Sequence, residues 1–212
     1  MDWLEVRISA RYGKAKLQRG EFLHIGHRYR QLDTYAVLTD LQHFIQDIRE
    51  PYVPSNLNLP LQAESFTDLR SVNGSMCYAA AERPDRAGPI AIMQQAVNAN
   101  APNRELREAV MILRELKATN DLCLQYHPFP EGAPLRLTLP GDSGLRPRDE
   151  ESKYPQVGHF ALLEDATEEV GGLSHIWDFG SRKGGRVATS TFKAETGIVT
   201  ACAELAQKRG AW

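Results

Sequence analysis

The spacing of apolar residues changes period once, near residue 121, and that change constrains the fold more than any other feature. Before it the spacing is helical. Residues 66–81 place Leu69, Val72 and Met76 on one face, and Ile90, Met93 and Val97 repeat at the same spacing between Pro84 and Asn100. An interior proline loses a hydrogen bond and clashes with the preceding turn, so this second helix is expected to begin at Gly88 or Pro89. The third helix is the clearest. Asn103 can cap it, Leu106, Ala109, Val110, Leu113 and Leu116 form its apolar stripe, and Asn120 and Asp121 end it. After residue 121 the period is two. CLQYHPF, LRLTL, GHFALLED and LSHIWDF alternate as strands do, with a charged loop over 145–156. From Thr191 a stripe of Ala194, Ile198, Ala201, Cys202 and Leu205 is helical again. Helices, then strands, then a helix give an α+β class.

The N-terminal part adds a β-hairpin. EFLHIGHRYRQ and LDTYAVL are two runs joined by a short polar turn, and a continuous strand would put His24 and His27 on opposite faces. Leu41, Phe44, Ile45 and Ile48 then mark a short helix with Asp40 as its N-cap. Residues 51–64 hold three prolines and no period, and read as a surface loop or linker.

Hydrophobic residues make up 42% of the 212-residue chain, which argues against disorder over most of it. The net charge of -2 excludes a chain that binds nucleic acid by bulk charge alone. Between Arg7 and Arg30, however, seven basic residues meet one acid, Glu21. Such a stretch is either a solvated face or a phosphate-tracking patch. Cys77, Cys123 and Cys202 are widely separated and odd in number, so neither a disulfide framework nor a zinc site follows. The first residues lack a signal-peptide core, and no run reaches the ~18 apolar residues of a membrane span. An intracellular chain, cytoplasmic or nuclear, with no membrane partner is expected.

Nucleotide cradles of the G-x-x-x-x-G-K or G-x-G-x-x-G type are absent. The six histidines include no H-x-x-x-H pair and read as surface or satisfied core residues. Ser143, in GDSGL, lacks the His and Asp contexts of a catalytic triad. Two carboxylates stand out. Asp142 follows the apolar strand LRLTL, and Glu195 shares a helix face with Ile198, Val199 and Cys202. An acid on an apolar face is costly unless paired, which suits a metal ligand; a first-turn glutamate is also favoured simply by the helix dipole. Magnesium prefers such hard oxygen donors.

These strings together resemble the copia-type retrotransposon polyprotein. FTDLRSVNGSMCY is similar to the family's R-x-L-(V/I)-G-S-L-x-Y, and Arg83-Pro84-Asp85 to its R-P-D. Residues Ile112 to Thr119 are similar to its L-(R/K)-Y-L-K-G-T. EFLHIGHRYRQLDTYAVL resembles F-x-G-I-x-(I/V) followed by L-x-Q-x-x-Y. Downstream, LRLTLPGDSGL resembles the first RNase H strand, ending in S-D-A; GHFALLED, LSHIWDFGSRK and VATSTFKAETGIVTACAELA resemble the next strands and first helix. The match runs over about residues 5–206 in the family's order.

The resemblance implies three segments: residues 1–50 as the end of the reverse transcriptase palm, 51–130 as its helical thumb or connection, and 131–212 as an incomplete RNase H-like domain with a mixed sheet and one helix. It implies that Asp142 and Glu195 bind Mg2+ and act on the RNA of an RNA–DNA hybrid. It also implies that Arg182 and Lys183 face nucleic acid; Arg28 and Arg30, from the basic stretch, are expected to do the same. The departures are specific. The family's (Y/F)-V-D-D polymerase motif is absent. After Glu195 come 17 residues with one acid, Glu204, where the family supplies two more carboxylates from later strands. Two carboxylates are too few for two-metal hydrolysis, so the chain itself is expected to be inactive or very weak. Asp165 and Asp178 are the spare acids. A non-enzymatic nucleic-acid-binding or interaction module is the alternative. A truncated sheet would also leave an unpaired edge, which invites self-association.

Overall fold

The computed structural model describes residues 20–98, 100–144, 154–167, 172–184 and 190–209. Most of the basic stretch from Arg7 and most of the loop 145–156 lie outside them. Among the described residues the chain is α+β, with two antiparallel sheets and five helices.

The first sheet begins as a meander of β1 (Glu21–His24), β2 (His27–Gln31) and β3 (Val37–Asp40). Ile25 and Gly26 join β1 to β2 with φ of 48° and 78°. Positive φ at both positions is the two-residue turn that matches strand twist. Ile25 is a poor residue for it, and the Tyr78 hydroxyl donates to its carbonyl and holds it there. This turn places His24 directly opposite His27, on one face and not on two. The expected hairpin is therefore the second of two. β4 (Leu124–Tyr126) adds to β3 and closes the sheet in the order β1-β2-β3-β4.

Four helices pack on one another beside it: α1 (Gln42–Asp47), α2 (Ala63–Ala79), α3 (Pro84–Gln94) and α4 (Asn103–Ala118). Leu41, Ile45, Leu69, Met76, Ile90, Met93, Leu106, Leu113 and Leu116 are all buried in one cluster. The stripes expected on α1, α2 and α4 are its walls. The segments divided at residue 50 thus share one core.

Three terminus assignments change. Asp40 accepts from the Gln42 amide at 3.0 Å, one residue earlier than a true N-cap, because Leu41 occupies that position. Asn103 starts α4 without capping it. Its side-chain amide donates to the Asn56 carbonyl at 2.7 Å, while the Leu59 and Leu57 carbonyls take the Asn103 and Arg104 amides. The proline-rich loop therefore caps α4 with backbone. Third, α3 begins at Pro84, where proline suits the first turn, and carries Pro89 inside it. An interior proline costs ~3 kcal/mol. Burying Ile90 and Met93 stabilises by ~1.5–3 kcal/mol each and outweighs that cost.

The second sheet contains β5 (Leu135–Thr138), β6 (Gly141–Gly144), β7 (Gln156–Asp165) and β8 (Ser174–Lys183). β5 and β6 pair with the same side of β7 in one continuous register. They are one edge strand interrupted at Leu139–Pro140, where proline has no amide to donate. The Pro140 carbonyl still accepts from Phe160 at 2.9 Å. The sheet is thus a three-stranded meander. Every described pairing in it is antiparallel, which corrects the mixed sheet expected from the resemblance. α5 (Thr191–Arg209) lies across β6 and β7.

Candidate functional site

Strand alternation sorts the second sheet into two faces. Cross-strand partners put Asp142, Gly158 and Ser181 on one face, in line with Phe160 and Phe179. Gly141 and Ser143 are on the other. α5 covers that other face. A Cβ built on Gly141 would stand 2.7 Å from Ile198 Cγ1 and 2.9 Å from Cys202 Sγ, so only glycine admits the helix this closely. Burial holds the Cys202 thiol above its ordinary pKa.

The predicted acids are separated by this arrangement. Among the described side chains of α5 the buried ones are Ala194 and Ile198; Glu195 is exposed, as is Val199 at 68%. Glu195 lies about 60° from Ile198 and about 100° from Ala194, so it sits with Val199 at the border of the buried stripe, and its carboxylate reaches solvent where an apolar burial was expected. Asp142 is also exposed, but on the face away from α5. Its Oδ1 accepts from the Ser143 amide at 2.7 Å. The Phe160–Pro140 hydrogen bond turns the even positions of this strand toward β7, so the Ser143 amide points outward from the edge. Asp142 therefore blocks one amide of an edge along which no other strand pairs among the described residues.

A hard dication needs several oxygens converging on one point. Asp142 and Glu195 do not converge, and no three His, Cys, Asp or Glu residues gather among the described residues. Asp165 lies at the far end of β7, opposite Leu135, and its carboxylate is taken by the Thr167 hydroxyl at 2.6 Å and amide at 2.9 Å. Those bonds hold it below its ordinary pKa. Asp178 pairs with Ala161 and completes no cluster among the described residues. The described residues do not fit a two-metal centre.

The four predicted cationic contacts divide in two. Arg28 and Arg30 serve a carboxylate. Asp40, 2% exposed, accepts from Arg28 Nε at 3.0 Å and from Arg30 at 3.3 Å, and Arg28 also reaches Gln42 at 2.6 Å. Asp40 stands opposite Arg28 across the β2–β3 ladder, and a buried charge needs such partners. Both arginines are thus engaged by Asp40, Arg28 the more deeply, while Arg30 keeps a third of its side chain exposed. Arg182 and Lys183, by contrast, are exposed at the end of β8, with Lys183 Nζ 4.7 Å from the Tyr154 ring centre. Register puts Lys183 on the face of Asp142 and Arg182 on the face of α5.

Several site-like residues carry no motif. Two clefts flank α3. One, of 440 Å³, is lined by Cys77, Glu82, Tyr126 and Trp177. Glu82 is committed there: it accepts from Thr39 Oγ1 at 2.6 Å and pairs with His27 Nδ1 at 2.7 Å. Burial first, and the Glu82 charge second, hold Tyr29 and Tyr126 above the usual tyrosine range. The other, of 320 Å³, lies between Ala87 and Gly88 of α3 and the Asp142 face, with Phe160 and Phe179 in its wall. GHFALL and IWDFGS each place a phenylalanine by alternation, but only the register brings the two rings together, with centroids 6.2 Å apart.

No protein-family model matches the chain, and no curated protein is similar enough to count as a relative. No helix among the described residues is long and apolar enough to cross a membrane.

Proposed function

We propose that this chain is a piece of a copia-type retrotransposon reverse transcriptase/RNase H that retains a nucleic-acid-binding surface and no complete active site. The parent activity would be RNA-directed DNA synthesis with Mg2+-dependent hydrolysis of RNA in RNA–DNA hybrids. One observation carries the reading: an antiparallel three-strand meander whose first strand bears Asp142 is followed by a helix laid on that first strand, in the order the family strings imply. The separation of Asp142 from Glu195 supports inactivity, since two-metal hydrolysis needs carboxylates around one phosphate. The setting is intracellular, consistent with three unpaired thiols. The outer edge of β5 and β6 is a route to self-association.

A non-enzymatic binding module is the second reading, favoured by the exposed Arg182 and Lys183. The test is a labelled RNA–DNA hybrid with magnesium or manganese, using the wild type beside Asp142→Asn and Glu195→Gln. No cleavage, with binding that weakens as salt rises, is expected. Cleavage lost in both variants would overturn the inactivity. Absence of hybrid or single-strand binding at low salt would overturn the nucleic-acid reading altogether.

A further inference from the structure

The 320 Å³ groove beside α3 has the features of a site for one flat ring. Its volume is at the small end of ligand pockets, which run from about 300 to 1,000 Å³. Its wall carries a stacked aromatic pair, Phe160 and Phe179, with ring planes 27° apart and Phe160 37% exposed. An exposed phenylalanine stack on an open sheet face offers a planar ring a partner. The other wall is Ala87 and Gly88, and a Cβ built on Gly88 meets nothing within 4 Å, so the space above it is empty. Gly158, beside Phe160, keeps the floor low, with only the Gly180 carbonyl 3.8 Å from its built Cβ. At the rim is Asp142. Its Oδ1 holds the Ser143 amide, and its Oδ2 has no partner among the described residues. Two rows along the same face stands the exposed Lys183.

We infer that this groove takes an unpaired guanine of a single-stranded nucleic acid. The base stacks on Phe160, Asp142 accepts from its edge, and Lys183 contacts the adjoining phosphate. A carboxylate has only acceptors, so it selects the base whose edge donates most. Guanine offers N1–H and the exocyclic amine side by side; cytosine and adenine offer one amine, and thymine a single imide N–H. The cation belongs outside the pocket, because a phosphate beside Asp142 would be repelled. The inference rests on the nucleic-acid reading above and narrows it to a single-stranded, base-selective contact.

The experiment is fluorescence anisotropy with a labelled thymidine decamer, and with the same decamer carrying one central guanine. Wild-type protein is expected to bind the guanine decamer about tenfold more tightly. Phe160→Leu, which keeps an apolar side chain and removes the ring, weakens it about tenfold. Gly88→Leu fills empty space on a helix and abolishes the guanine preference with no loss of helical signal. Asp142→Asn levels the two decamers. Lys183→Ala weakens both and lowers the salt slope by about one. Equal binding of both decamers by the wild type, or unchanged guanine binding in Gly88→Leu and Phe160→Leu, overturns the groove assignment while salt-dependent binding leaves the broader reading intact. Failure of every oligonucleotide and of the hybrid to bind overturns both.

Discussion

Asp40 shows how much one residue can organise. It is 2% exposed and faces two guanidinium groups and the Gln42 amide. Removing one member of a buried pair costs about 3–5 kcal/mol, and Arg30, a third exposed, can be rehydrated. Asp40→Asn is therefore expected to lower stability by about 2–3 kcal/mol, read from the urea midpoint, and Arg30→Gln by less than about 1 kcal/mol. The arginines were legible in the sequence as charge, but not as ion pairs. Their partner lies twelve and ten residues away, and only the β2–β3 register brings it opposite Arg28. The tyrosines give a second prediction. Tyr29 and Tyr126 have raised values, from burial first and Glu82 next, so folding favours their neutral form. That stabilisation is complete below the unfolded pKa near 10 and is lost as pH rises through the folded values. Ultraviolet titration should show tyrosinate from these two appearing last, and Glu82→Gln should bring both down.

Among the elements, α2 and α4 were readable because an amphipathic stripe reports its own burial: Leu69, Val72 and Met76, and Leu106, Ala109, Val110, Leu113 and Leu116, are all buried. α3 was misread at its start because a local rule about proline competes with burial of Ile90 and Met93, and sequence does not weigh the two. On α5 the existence of the helix was legible and the facing of Glu195 was not. Its apolar residues wrap more than one face, and what selects the buried one is Gly141, on another element. This gives an element-scale prediction. Gly141→Ala would drive a methyl into Ile198, a branched side chain with little freedom to move, and into Cys202. α5 should lift from β6. Burial keeps the Cys202 thiol protonated and slow to react, and the thiolate is the reactive form. Alkylation of Cys202 should therefore be slow in the wild type and faster in Gly141→Ala, with peptide mapping separating it from Cys77 and Cys123. An unchanged rate would mean that the glycine does not set the seat of the helix.

At the scale of the molecule the two sheets are unequal. The large buried cluster draws on residues from Leu41 to Leu116 alone. Among the described residues, the buried apolar side chains of the second sheet and its helix are Ala161, Ala194 and Ile198. Three small or medium side chains stabilise by only a few kcal/mol at ~25 cal/mol per Å². Ordering each residue of a sheet costs ~1–2 kcal/mol, so the second sheet depends on what it leans against. It leans on the first unit through α3. Gln95 donates to Gln156 at 2.7 Å, Gln156 donates to Ser181 at 2.7 Å, and the His175 ring joins the His127 carbonyl at 2.7 Å while packing on Phe129. Nothing in the sequence marked α3 as the shared wall, because Ala87 and Ala91 on its outer side are too small to make a stripe. A chain of residues 20–131 should accordingly unfold in one cooperative urea transition followed by circular dichroism. Residues 132–212 alone should show none, and adding the first fragment should restore protection of the β8 amides from hydrogen exchange. A cooperative transition in the isolated second fragment would mean that its core extends beyond these side chains, and that the groove holding Asp142 forms without the help of α3.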